Sequence, residues 1–215
     1  MAVNDPINGA SDADIAAFLT DRLNAALAAS EGKVAIALAG GSTPFPILEA
    51  LVRQRRLDFA RLIVLPTDDR VVAEDHPASN TGKLRALMEP LGAQIVPLAK
   101  VSGAQATPPH FAMVWLGMGA DGHIASLFPN IDPQIDDPQS VRQITPDPLP
   151  PEAPFDRITL TIPALLNSDA MMFVIRGEEK RAVWDAASRQ EMDLPVARLL
   201  AAAEQDYMGV ITCFA

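Results

Sequence analysis

Apolar residues fall along the chain in blocks whose spacing alternates between helical and strand-like. Ser11 followed by Asp14 marks a helix start, and Ile15, Phe18, Leu19, Leu23 and Leu27 then recur at helical spacing as far as Ala29. Val34-Ala-Ile-Ala-Leu-Ala39 is a continuous apolar run that stops at Gly40-Gly41, as a strand buried on both faces does. Pro44 suits a first helical position, and Ile47, Leu48, Leu51 and Val52 give the next helix its inward stripe. The first unit is therefore strand, glycine turn, helix.

The alternation continues with a strand at Leu62 to Leu65, a polar loop from Thr67 to Asn80, and a helix through Leu84, Leu87 and Met88. Ile95 to Leu98 and Phe111 to Leu116 read as further strands. The stretch between them is short and rich in Gly, Pro and Ala, where a parallel crossover ordinarily needs a helix. Asn130 to Pro154 holds seven of the 19 prolines and reads as an extended surface excursion, not a domain linker. Beyond it, Ile158 to Ile162 and Met171 to Ile175 are strand-like, Glu178 to Ser188 and Val196 to Ala203 helical, and Met208 to Cys213 a closing strand. Such an order predicts an α/β fold, a parallel sheet covered on both faces, with ligands at the carboxyl ends of its strands. The 215 residues fit one domain, 1–215.

Composition narrows the function classes. Hydrophobic residues make up 49% and charged residues 20%, which fills a core and argues against disorder. The net charge of −10, relieved only by the cluster Arg53, Arg55, Arg56 and Arg61, argues against a nucleic-acid partner. An anionic ligand must instead be held by local donors, which favours a small phosphate or carboxylate over a polymer. The single cysteine, Cys213, rules out an intramolecular disulfide and leaves a thiolate metal site without a second sulfur. No signal-peptide pattern opens the chain and no apolar stretch approaches the ~20 residues of a membrane span, so a cytoplasmic protein with no membrane partner is expected.

Four segments could carry chemistry. Gly40-Gly41-Ser42-Thr43-Pro44 ends a strand and opens a helix, so its backbone N–H groups and two hydroxyls suit a phosphate. It serves equally as a plain turn with Ser42 or Thr43 as helix cap. Thr67-Asp68-Asp69-Arg70 puts two carboxylates and a guanidinium at the same end of the sheet; Arg70 could grip an anion, or the segment is an exposed loop with a local ion pair. Ser79-Asn80 reads as a helix cap or as a ligand-facing polar pair, the cap being preferred. Gly117-Met-Gly-Ala-Asp-Gly-His123 is the sharpest signal, because three glycines permit an unusual path while Asp121 can fix the imidazole of His123 as a general base. The bland alternative is a solvent-facing turn histidine. A nicotinamide site is rejected, because the acid expected ~20 residues on falls in the proline-rich excursion. Lys180, after Arg176-Gly-Glu-Glu179, could reach a phosphate or lie on a helix surface. His76 and His110 lie beside prolines and read as loop residues, and no cluster has metal-ligand spacing.

Taken together, these segments resemble the 6-phosphogluconolactonase family, within the superfamily that also holds glucosamine-6-phosphate deaminases. The matching residues are Gly40 to Pro44, Asp68-Asp-Arg70 with Ser79-Asn80, Leu116-Gly-Met-Gly-Ala-Asp-Gly-His-Ile-Ala-Ser-Leu-Phe-Pro129, and Arg176-Gly-Glu-Glu-Lys180. The resemblance implies a three-layer α/β sandwich with a mainly parallel, Rossmann-like sheet, and hydrolysis of 6-phosphogluconolactone to 6-phosphogluconate in the pentose phosphate pathway. It implies His123 as the base and Asp121 as its orienting partner, and Gly41, Ser42, Thr43, Arg70 and Lys180 around the substrate phosphate. No metal or organic cofactor is expected. The chain departs from the family where Asp69 replaces the usual Glu, where Ala112 replaces a common Asp, and where the crossover between Leu98 and Phe111 lacks its helix.

Two rivals are weighed. A deaminase carries an acidic residue after its histidine, whereas here Ile124-Ala-Ser-Leu-Phe-Pro-Asn130 follows without one and Arg70 stands where deaminases have an aromatic. A non-catalytic sugar-phosphate sensor would be joined to a DNA-binding segment, and Met1 to Lys33 holds one helix, not a helix-turn-helix.

Overall fold

The computed structural model describes residues 7–103, 107–151, 153–206 and 208–215. Seven strands form a parallel sheet: β1 (Ile7–Asn8), β2 (Val34–Leu38), β3 (Leu62–Pro66), β5 (Gln94–Ile95), β6 (Met113–Leu116), β9 (Ala170–Ile175) and β10 (Gly209–Phe214). Their spatial order is β1-β10-β9-β6-β2-β3-β5. Three further strands, β4 (Asp68–Arg70), β7 (Val141–Ile144) and β8 (Arg157–Leu160), make a small antiparallel sheet ordered β4-β8-β7.

Alternation along the buried strands divides the core in two. Val34, Ile36 and Leu38 of β2 pack with Ile15, Leu19 and Leu23 of α1 (Asp12–Ala29), and with Ile47, Leu48 and Leu51 of α2 (Pro44–Gln54). Leu84 and Met88 of α3 (Asn80–Met88) join that layer. Ala35 and Ala37 face the other way, toward Leu165 of α4 (Ile162–Leu166), Trp184 of α5 (Glu178–Ser188) and Val196, Leu199 and Ala203 of α6 (Pro195–Gln205). Successive strand side chains point to opposite faces, so one continuous apolar run serves both layers. The three layers are helices, sheet, helices. Phe173 and Trp184 meet at 4.7 Å in the second core, and full burial of a side chain such as Phe173 contributes about 1.5–3 kcal/mol.

Several sequence expectations are corrected. The loop from Thr67 to Asn80 contains β4, and the excursion from Asn130 to Pro154 contains β7. Ile158 to Ile162 is no strand of the parallel sheet: β8 ends at Leu160, runs antiparallel to both neighbours, and gives way to α4. Pro163 suits the first turn of that short helix, and the strand-like composition hid it. Ile95 to Leu98 shrinks to a two-residue strand before a 3-10 turn at Leu98–Lys100. The crossover to β6 has no helix among the described residues; residues 104–106 of it lie outside them. The start of α1 matches expectation, with the Ser11 hydroxyl accepting from Asp14 N at 3.3 Å and the Asp14 carboxylate from Ser11 N at 3.0 Å.

Candidate active site

Because β2, β3, β6 and β9 are parallel, the segments that leave their carboxyl ends share one edge of the sheet. There an open cleft of about 350 Å³, within the usual range for small-molecule sites, is lined by Gly41, Ser42, Thr43, Asp68, Arg70, Asn80, Ser126, His123, Arg157 and Lys180. Of the residues that the family resemblance assigns to catalysis or phosphate binding, Asp121 alone is not on the wall; it stands behind His123.

The turn after β2 is held open by Gly41, whose φ of +104° a side chain would strain. Thr43 is the residue before α2, with helical backbone and no side-chain capping bond. The cap alternative for this turn is thus not realised, and among the described residues the Ser42 and Thr43 hydroxyls have no hydrogen-bond partner. Lys180, on the first turn of α5, likewise has neither ion pair nor hydrogen bond among the described residues. Its side chain turns into the cleft, where the helix-surface reading would have it face away.

Strand alternation separates the two aspartates. Asp68 and Arg70 face the cleft, while Asp69 points away and is buried at the start of α3. Its carboxylate accepts from Asn80 N at 2.6 Å, Thr81 N at 2.9 Å and the Thr81 hydroxyl at 2.6 Å, neutralising the positive end of that helix. The exposed-loop alternative for this segment is overturned: Asp69 is a structural clamp. The Ser79 hydroxyl caps the same helix, accepting from Gly82 N at 3.0 Å. Arg70 donates Nη1 to Ala78 O at 3.0 Å and Asn80 Oδ1 at 3.1 Å, while its buried Nε has no partner. Burial raises the pKa of the Asp68 carboxyl, opposed by the Ser126 hydroxyl at 2.5 Å and by the charge of Arg70.

His123 meets Asp121 at 2.6 Å through Nδ1, and the same carboxylate oxygen accepts the His123 backbone N–H at 3.2 Å. A carboxylate accepts, so in the neutral ring Nδ1 carries the proton and the lone pair lies on Nε2. Among the described residues Nε2 has no partner, and the ring rests on Phe128 at 4.8 Å between centroids. Gly119 makes the pairing possible, since a Cβ there would lie 2.3 Å from His123 Nδ1 and 2.5 Å from Asp121 Oδ1.

Sequence reasoning left Asp68 without a role and missed Ser126, Phe128 and Arg157. The alternation Asp68-Asp69-Arg70 was the available signal for the first, once that segment is seen as a strand. Arg157 gave none, because it comes from a strand of the unforeseen small sheet. Among the described residues no group of three His, Cys, Asp or Glu side chains is placed to hold a metal ion.

The fold and the cleft together define an α/β protein whose strand ends gather Arg70, Arg157 and Lys180 in one cleft, beside a histidine whose Nε2 has no partner among the described residues. The sequence profile of glucosamine-6-phosphate isomerases/6-phosphogluconolactonase matches residues 9–208, and the chain belongs to that family. It is 34% identical over 208 residues to a 6-phosphogluconolactonase of Pseudomonas aeruginosa, covering 87% of this chain and 86% of that one. A 6-phosphogluconolactonase of Caulobacter vibrioides is 32% identical, over 86% and 85%. The crystal structure of a 6-phosphogluconolactonase from Shewanella baltica matches the fold with a TM-score of 0.77, covering 100% of this chain and 99% of that one at 23% identity.

Proposed function

We propose that the chain hydrolyses 6-phosphogluconolactone to 6-phosphogluconate, the activity its curated relatives are named for. One observation carries the reading of the site: His123 is tied to Asp121 through Nδ1 while Nε2 is bare, in the same cleft as the unpartnered donors of Ser42, Thr43, Arg70 and Lys180. Those donors hold the phosphate, with Gly41 keeping the turn open around it. Nε2 takes a proton from water as the water oxygen attacks the lactone carbonyl. The tetrahedral intermediate collapses with cleavage of the bond from C1 to the ring oxygen, and His123 returns the proton to that oxygen. Asp121 fixes the tautomer and favours the imidazolium formed between the two steps. The residues of the cleft perform this without a metal or organic cofactor.

Among the described residues, three charged nitrogen side chains, Arg70, Arg157 and Lys180, line the cleft against one carboxylate, that of Asp68. That local excess supports a phosphorylated ligand in a protein whose net charge is −10. The test follows acid release from freshly made 6-phosphogluconolactone beside ammonia release from glucosamine 6-phosphate. Acid release above the spontaneous rate, undiminished by a chelator and without ammonia, is expected. Ammonia release instead would assign the deaminase reaction.

A further inference from the structure

Arg157 lies on the cleft wall and is only 3% exposed. It pairs directly with Arg70 across β4 and β8, so the two guanidinium groups rise from the same face of the small sheet. Like charges directly opposite on an antiparallel pair are destabilising. Among the described residues, no carboxylate forms an ion pair with either arginine. Asp68, on the same face two residues from Arg70, is bonded to Ser126, and Asp69 is committed to α3. Arg157 spends two donors on backbone carbonyls, those of Phe155 and of Ala153 at 2.8 Å. Burial and the charge of Arg70 both push its pKa down. A second cation is thus set at a costly place: the charges of Asp68, Asp156 and Asp69 partly offset it, yet among the described residues its hydrogen bonds go only to neutral carbonyls and none to a carboxylate.

Holding those carbonyls does steady the segment of Pro150 and Ala153 that walls the cleft. An uncharged donor would serve that purpose without facing Arg70, so the charge itself calls for an anion. We propose that Arg157 is a specificity-determining residue of the same site, completing with Arg70 a pair of guanidinium groups that receives the ligand's phosphate dianion. The two backbone carbonyls orient its planar group, and the ligand's charge relieves the repulsion between the arginines. A planar guanidinium suits phosphate oxygens through paired N–H donors. The inference rests on the sugar-phosphate reading above.

The test is calorimetric titration of wild-type protein, Arg157→Gln and Arg157→Lys with 6-phosphogluconate and with gluconate. Wild type is expected to prefer the phosphorylated ligand strongly. Arg157→Gln should weaken 6-phosphogluconate by about 10- to 100-fold while changing gluconate little. Arg157→Lys, which keeps the charge but cannot span both carbonyls, should keep most of the preference. If Arg157→Gln does not fold, the Lys variant decides alone: a loss of affinity that is larger for 6-phosphogluconate than for gluconate supports the inference, and affinities unchanged or lowered equally for both ligands overturn it. A wild-type preference that survives Arg157→Gln unchanged overturns the role of Arg157 and leaves the functional reading standing. A wild-type protein with no preference overturns both.

Discussion

Strand β6 is flanked by two histidine–aspartate pairs, one at each end, and they have opposite fates. At the amino end His110 contacts Asp169 Oδ1 at 2.8 Å through Nε2 and Asn167 Oδ1 at 3.0 Å through Nδ1. Past the carboxyl end His123 contacts Asp121 at 2.6 Å through Nδ1 alone. Both ring nitrogens of His110 face oxygen atoms, an arrangement that favours the imidazolium; the bonds from Asn167 and Asp169 raise its pKa. It clasps the start of β6 to the segment before β9, where Phe111 bridges Ser168. A histidine beside an aspartate is therefore no base by that fact. What distinguishes His123 is the nitrogen left without a partner, turned to a cleft lined with free donors.

The largest effect that would break this contrast is on turnover. His123→Ala should lower kcat by about 10²- to 10⁴-fold once spontaneous lactone hydrolysis is subtracted, whereas His110→Ala should leave it within about twofold. Comparable losses from the two changes would erase the distinction. Asp121→Asn should lower kcat by roughly 10- to 1000-fold with little change in KM, because an amide can hold the ring yet does not favour imidazolium. A full-speed Asn variant would remove Asp121 from the mechanism. Lys180→Met should reduce kcat/KM for the phosphorylated lactone by about 10- to 100-fold and leave unphosphorylated gluconolactone nearly unchanged. An equal drop for both would show that Lys180 does not read the phosphate.

The smallest effect is on stability. The His110 pKa is raised on folding, so its contribution is fully present below its ordinary value of 6.5 and is lost as pH rises through the folded value. The pair is open to solvent, so the gap between wild type and His110→Gln in denaturant unfolding should be at most about 1 kcal/mol. It should be widest below pH 6.5 and close above it. A gap that widens with rising pH would mean that His110 is held neutral.

The comparison also shows what could be read from the chain. Asp121 and His123 stand two residues apart within a glycine-rich turn, so their pairing was legible locally, as was β2 with its turn. The clasp of His110 was not, because its partners Asn167 and Asp169 come from a distant turn. The same limit hid the small sheet. Strands of three or four residues with mixed polarity, such as Asp68–Arg70, carry too little periodicity to stand out from a loop. Their meaning comes from long-range pairing, which sets Arg70 opposite Arg157 and turns Asp69 onto α3. Lys180 and Arg70 were nameable as phosphate donors only because four segments were taken together; singly each had an ordinary surface reading.

The claim on which all of this turns is the tautomer of His123, and nitrogen-15 spectra of the imidazole rings near neutral pH measure it directly. The account predicts a protonated Nδ1 and a bare Nε2 for His123, beside two protonated nitrogens for His110 below pH 6.5. A His123 ring protonated on Nε2 and bare at Nδ1 would contradict it, since no lone pair would then face the cleft.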